Sequence, residues 1–148
     1  MKNKGIEEFK TALRTEDLKV TPQRLTVFEE VCSNKEHRDA EDIFIALQNS
    51  GKNVSRATVY RTVELLLKYE LVTRLDTGDG KWKYEHWLDC SHHDHLICIR
   101  CGKIIEFIDE EIEDRQEKIC NHYGYKLVRH IHQLFGLCGE CQNYNIAS

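Results

Sequence analysis

The sequence predicts an α+β chain of two unlike halves, a winged helix over 1–88 and a small α/β domain over 89–148. Three observations predict it. Apolar residues in the first half recur at helical spacing and end in a single hairpin. In the second half, short alternating strands surround one helix. Four of the seven cysteines fall in two Cys-x2-Cys pairs, both in the second half.

Ile6, Phe9 and Leu13 share one helical face, so a first helix is expected over 6–15. Thr21-Pro22 is a start signal, an N-cap followed by proline at the first helical position. Leu25, Phe28 and Val31 continue that stripe. A third helix should run from Ala40 to about Ser50, opened near Asp39 and stopped by Gly51. Ser55 caps a fourth, from Arg56 to about Tyr69, with Val59, Val63 and Leu66 or Leu67 inward. Residues 71–75 and 81–85 alternate around a glycine-rich connection, which makes a hairpin. Helices followed by such a hairpin outline a winged helix. After a short polar junction at 86–91, expected to be a tight hinge, 95–100 and 103–107 read as strands. Residues 109–123 read as a helix whose Asp109, Glu110 and Glu111 suit its positive end, and 126–135 as a third strand.

Composition is that of a globular chain, with 41% hydrophobic and 31% charged residues. No apolar run approaches the ~20 residues that span a bilayer, and the start lacks the apolar stretch of a secretory signal. A cytoplasmic protein with no membrane partner is expected. Reducing conditions there disfavour a disulfide framework, so paired cysteines point to metal. The net charge of −4 is unevenly spread. Residues 1–88 carry 15 Lys+Arg against 15 Asp+Glu, and residues 89–148 carry 6 against 10. The acidity therefore lies beside the histidines and cysteines, where bound cations would offset it.

Cys98-Ile-Arg-Cys101-Gly and Cys138-Gly-Glu-Cys141 each let one turn offer two sulfurs to a tetrahedral ion. Together they make a closed four-thiolate site that suits structural Zn²⁺. Gly102 and Gly139 would permit the tight backbone. A redox pair would open a helix, whereas these are expected to follow strands. Cys32, Cys90 and Cys120 lie outside both Cys-x2-Cys motifs and receive no role.

His92-His93-Asp94-His95 sets four ligand types in a row. On extended backbone, residues two apart share a face. His93 and His95 then point one way and His92 and Asp94 the other, so one segment can serve two metal sites. His37, Glu85, Glu106, Glu113, His122, His130 and His132 are further nitrogen and oxygen donors. Such mixed donors suit Fe²⁺, Mn²⁺, Zn²⁺ or Co²⁺. One soft site beside harder, exchangeable ones is the arrangement of a sensor.

Thr21-Pro22-Gln23-Arg24, Ala57-Thr58-Val59-Tyr60-Arg61, the His92–Cys101 block with Glu106, and the final Cys-x2-Cys resemble the ferric uptake regulator family. The resemblance spans nearly the whole chain. It implies a metal-responsive homodimer, or a tetramer, whose winged helices bind palindromic operators in double-stranded DNA. It implies a regulatory site of His37, Glu85, His93, His95 and Glu106 that takes Fe²⁺ or Mn²⁺, with Zn²⁺ or Co²⁺ as substitutes. It implies a second site of His92, Asp94, Glu113 and His130. His122 and His132 receive no role in that pattern.

Peroxide-sensing relatives place aspartates where this chain has Glu85 and Glu106, so the resemblance leans toward an iron-responsive repressor of metal-uptake genes. A peroxide sensor and a zinc- or manganese-responsive regulator remain alternatives on the same scaffold. A metallohydrolase is a remote one, since such clusters also activate water. No substrate-binding loop accompanies them, and no catalytic residue is assigned.

The helix opening at Ser55 joins small and polar residues to a tyrosine and two arginines, as a recognition helix does. Ala57 and Tyr60 could touch thymine methyls, Arg56 or Arg61 could reach guanine or phosphate, and Thr58 lies in the same first turn. By resemblance, Tyr60 and Arg61 read bases and Lys19 probes a minor groove. Lys81 and Lys83 on the hairpin would meet backbone phosphates.

Overall fold

A computed structural model describes residues 2–34, 36–86 and 92–144. Cys90 and most of the 86–91 junction lie outside the described residues. The chain divides into two compact units, Met1–Cys90 and Ser91–Ser148.

In the first unit α1 (Lys2–Thr15), α2 (Pro22–Ser33), α3 (Ala40–Asn49) and α4 (Arg56–Lys68) precede a hairpin of β1 (Val72–Asp76) and β2 (Trp82–His86). Each of the last three helices begins where a side chain satisfies an orphaned amide. Thr21 accepts from the amide of Arg24, Asp39 from that of Asp42 and Ser55 from that of Thr58. Asp42 returns the bond to the amide of Asp39, closing a capping box. Gly78 and Gly80 in the hairpin connection have φ of 78° and 79°, which explains the glycines there.

Phe9, Leu13, Val27, Phe28, Val31, Ile43, Leu47, Val59, Val63 and Leu66 form one buried core. Phe9 and Phe28 stack with ring centroids 5.1 Å apart. The stripe on α4 resolves in favour of Leu66, fully buried, over the partly buried Leu67. α4 thus packs on its Val59–Val63–Leu66 side and leaves Tyr60 and Arg61 exposed.

Thr62, 1% exposed, places its hydroxyl with no hydrogen-bond partner among the described residues. An unsatisfied buried hydroxyl costs ~1–3 kcal/mol. Thr62→Val is therefore expected to raise stability by ~1 kcal/mol, read as a higher urea midpoint at unchanged m-value.

In the second unit β3 (Asp94–Cys98) is the central strand of a sheet ordered β4-β3-β5. β4 (Ile104–Phe107) pairs with it antiparallel, with His95 opposite Glu106. β5 (Gln133–Gly136) pairs parallel, with His95 opposite Gln133. Between them runs α5 (Glu110–His122), capped by Asp109, and the chain ends in α6 (Gly139–Asn143).

Three sequence expectations need correction here. The third strand covers Gln133–Gly136 rather than 126–135, because its ladder with β3 starts at the pairing of His95 with Gln133. Cys138 and Cys141 do not simply follow a strand; Cys138 is the N-cap of α6. Gly102 has a φ of 74° and needs its glycine, whereas Gly139 has no positive φ.

The second unit is thinly cored. Among the described residues its buried apolar side chains are Ile97, Cys98 and Cys141, and α5 buries none.

Candidate metal centres and nucleic-acid face

β3 ends at Cys98, a turn follows with Cys101, and α6 brings Cys138 and Cys141 to the same place. The four sulfurs lie within 4.8 Å of one another. Cys101 Sγ stands 3.7 Å from Cys138 Sγ, and the Cys138 amide donates to Cys98 Sγ at 3.4 Å. Amides of Cys138, Cys101 and Arg100 pull the Cys98 thiol down to about 6, toward the thiolate a metal needs. Burial, then the neighbouring sulfurs, push Cys141 up to about 12. Filling the site with a cation therefore displaces protons, and binding weakens as pH falls. Arg100 Nη1 donates to the carbonyl of Cys141 at 2.7 Å, fastening α6 beside the first cysteine turn.

At the opposite end of β3, His92, Asp94, Glu113 and His130 present donor atoms within 4.8 Å of one another. His92 Nε2 lies 3.1 Å from Glu113 Oε1, and His130 Nε2 lies 3.4 Å from the same oxygen. Asp94 Oδ1 is 3.5 Å from His130 Nε2 and 3.7 Å from His92 Nε2. Asp94 Oδ1 and His130 Nε2 are both buried without a hydrogen-bond partner among the described residues. Buried polar atoms without partners are costly, and a cation is what two imidazoles and two carboxylates would jointly accept. The donor set thus fits a divalent metal.

The remaining ligand candidates divide between the units. In the first, His37 Nε2 lies 3.0 Å from Glu85 Oε2, and Thr73 Oγ1 donates to Glu85 Oε1 at 3.1 Å. In the second, the rings of His93 and His95 meet edge-on at 4.8 Å, and His93 Nε2 is 3.5 Å from Glu106 Oε1. Arg38, a residue the spacing argument missed, holds the first pair in place. Its guanidinium donates to the side chain and carbonyl of Glu30 at 2.7 and 2.9 Å, and its carbonyl accepts from Tyr84 at 2.8 Å. Arg38→Ala would leave Glu30 without that partner, at an expected cost of ~1–3 kcal/mol in a thermal or urea melt.

The nucleic-acid candidates lie on and beside α4. Ala57, Tyr60 and Arg61 are exposed, and Thr58, half-buried, shares a 2.9 Å hydrogen bond with Ser55. Arg56 is engaged with α3, 2.6 Å from Glu41 and stacked over the Phe44 ring at 4.7 Å. Lys19 lies between α1 and α2, where Arg24 Nη1 donates to its carbonyl at 2.5 Å. Lys19, Arg24, Asn53, Ser55 and Thr58 line one open groove at the start of α4. On the hairpin, Lys81 is exposed, while Lys83 sits 3.5 Å from Asp42.

The structure also brings in His132, a candidate donor to which the resemblance gave no role. Its Nδ1 donates to Asp94 Oδ2 at 2.9 Å. The available signal was its position two residues after His130, on the same face of an extended segment. No such role emerges for His122, which packs edge-on against Tyr123.

A winged helix whose α4 presents an open face, in a chain with a small α/β unit rich in metal donors, is the architecture of a metal-responsive DNA-binding regulator. A profile of the ferric uptake regulator family matches residues 15–135. The ferric uptake regulation protein of Campylobacter jejuni is 41% identical over 140 residues, which cover 93% of this chain and 88% of that one. The Escherichia coli K12 protein of the same name is 40% identical over 131 residues, 88% of each chain. The Helicobacter pylori ferric uptake regulator, whose structure is described as revealing three functional metal binding sites, aligns with a TM-score of 0.84 at 35% identity. That alignment covers 95% of this chain and 93% of that one. This chain belongs to the ferric uptake regulator family, a family of metal-responsive transcriptional regulators.

Proposed function

We propose that the chain is an iron-responsive repressor that acts as a homodimer on a palindromic operator controlling metal-uptake genes, in the cytoplasm. What carries this is the presence of two sets of hard donors, His37 with Glu85 and His93 with Glu106, on the two separate units. We assign these residues and His95 to one regulatory site, His92, Asp94, Glu113 and His130 to a second, and the four cysteines to structural zinc. A divalent cation supplies Lewis-acid attraction for these donors and nothing more. His37 and Glu85 belong to the unit bearing α4, so their ligation together with His93, His95 and Glu106 sets the angle of the recognition helix. The closed arrangement offers five donors where the open one offers fewer, and that difference shifts the population. A swing from 1:99 to 99:1 needs ~5.5 kcal/mol of differential affinity, within reach of several ligands.

The homodimer is supported by the thin core of the second unit. Ile119, Tyr123, Tyr125, Val128, Ile131 and Phe135 are exposed along α5, the segment after it and β5, an apolar surface of the kind that marks a protein interface. A second copy covers it.

Imidazole and carboxylate donors in place of thiolates accommodate iron, as they do Mn²⁺, Zn²⁺ and Co²⁺. The relatives named for ferric uptake regulation support iron, and a Francisella tularensis ferric uptake regulator is described with iron. Metal analysis after anaerobic purification, with operator affinity measured for Fe²⁺, Mn²⁺, Zn²⁺ and Co²⁺, tests the assignment. Another metal co-purifying, and alone conferring operator binding, would overturn it.

In the DNA complex Tyr60 and Arg61 read bases, with Ala57 and Thr58 at the helix start and Lys19 beyond it. Tyr60→Ala is expected to weaken operator binding by ~1–3 kcal/mol in a mobility-shift titration and to relax preference at one base pair. Arg56→Ala should cost less, because Glu41 already neutralises that guanidinium.

A further inference from the structure

We infer that His132 is a positioning residue for the second metal site: its Nδ1–H holds Asp94 Oδ2 and so presents Asp94 Oδ1 as the donor. That role presupposes that His92, Asp94, Glu113 and His130 hold a cation.

Asp94 is 1% exposed, and its two oxygens differ in their surroundings. Oδ2 accepts from His132 at 2.9 Å. Oδ1 has no hydrogen-bond partner among the described residues and stands 3.5 Å from His130 Nε2. The terminal torsion of an aspartate is broad, so burial alone does not choose which oxygen faces the imidazoles. The hydrogen bond from His132 does. An ionised carboxylate only accepts, so the shared proton sits on His132 Nδ1 and that nitrogen is not itself a ligand.

His132 is in turn fixed on two sides. Its carbonyl accepts from the His95 amide at 3.3 Å, immediately before the β3–β5 ladder begins. Its ring packs edge-on against Phe107 at 5.8 Å. A ring so anchored is an outer-layer partner of the kind that orients a ligating carboxylate, and losing such partners weakens metal binding ~10- to 100-fold.

The competing role is a bond that merely fastens the chain before β5 to β3. Two replacements separate the roles. His132→Phe keeps an aromatic ring against Phe107 but has no donor. His132→Asn loses the ring but can place an N–H near the position of Nδ1. The parent is the full chain with zinc on its cysteines and His93→Ala to silence the regulatory set. Co²⁺ titration followed by visible absorption is expected to weaken ~10- to 100-fold in His132→Phe. His132→Asn should recover most of that loss. Parent-like Co²⁺ affinity in His132→Phe, or equal weakness in both variants, would overturn the role. Asp94→Ala is expected to abolish the Co²⁺ signal. An unchanged signal there would remove the site itself, and the part of His132 with it. Should His132→Phe fail to fold, ¹⁵N NMR of the unsubstituted chain decides. Protonated Nδ1 with unprotonated Nε2, the Nδ1–H exchanging more slowly once Zn²⁺ is added, is expected. The opposite tautomer refutes the role.

Discussion

Cys141→Ser is expected to cost the Ser91–Ser148 unit its fold, while the first unit stays intact. The two units have very different means of support. The first buries an extended apolar cluster from all four of its helices. Among the described residues, the second buries Ile97, Cys98 and Cys141, and nothing from α5. Two of those three are members of the sulfur cluster, so the core of this unit and its metal centre are largely the same object. One ion there would join the end of β3, the turn before β4 and α6 after β5. Four-coordinate zinc contributes ~10–16 kcal/mol in small metal-folded domains, as much as the ~5–15 kcal/mol that stabilises a whole domain. A serine cannot replace the thiolate, and the loss should appear as disappearance of bound zinc with one of two thermal transitions. Cys120→Ser, outside the cluster, should leave both. A Cys141→Ser protein that binds no zinc yet melts like the parent would mean that the dimer face alone holds the unit together.

What the sequence makes visible is whatever has a local cause. Thr21, Asp39 and Ser55 announce their helices because a capping side chain bonds an amide three residues on. The alternation of His92 to His95 is likewise local, and the segment entering β3 sets His92 beside Asp94 and His93 beside His95. The rest depends on partners distant in the chain. The strand after α5 is short because its ladder to β3 starts at His95, which no pattern within 126–135 encodes. Arg38 looks like any surface arginine until α2 brings Glu30 beneath it. His132 shows the same limit, since its spacing from His130 was readable but its bond to Asp94, 38 residues away, was not. α6 is only five residues long, too brief to carry a period, and is fixed by the sulfurs it must place.

The regulatory site should lose all of its effect on DNA when a donor is removed from either unit. For linked binding events, effector coupling ordinarily spans ~5- to 150-fold in affinity. In the unsubstituted chain, the ratio of operator affinities with and without Fe²⁺ is expected to fall in that range. His93→Ala should bring the ratio close to one by raising the metal-loaded Kd to the metal-free value, without altering the metal-free value. His37→Ala should do the same, although it lies in the other unit. If both donate to one cation, the double variant should be no worse than either single variant, because each alone already removes the coupling. Two independent sites would instead give losses that multiply. Glu113→Ala, on the second cluster, should keep a ratio well above one, since His92, Asp94, Glu113 and His130 all belong to one unit and their ligation spans no junction. A chain in which His37→Ala leaves the metal response whole would confine sensing to the second unit, and the angle of α4 would then have to be set by something other than shared ligation.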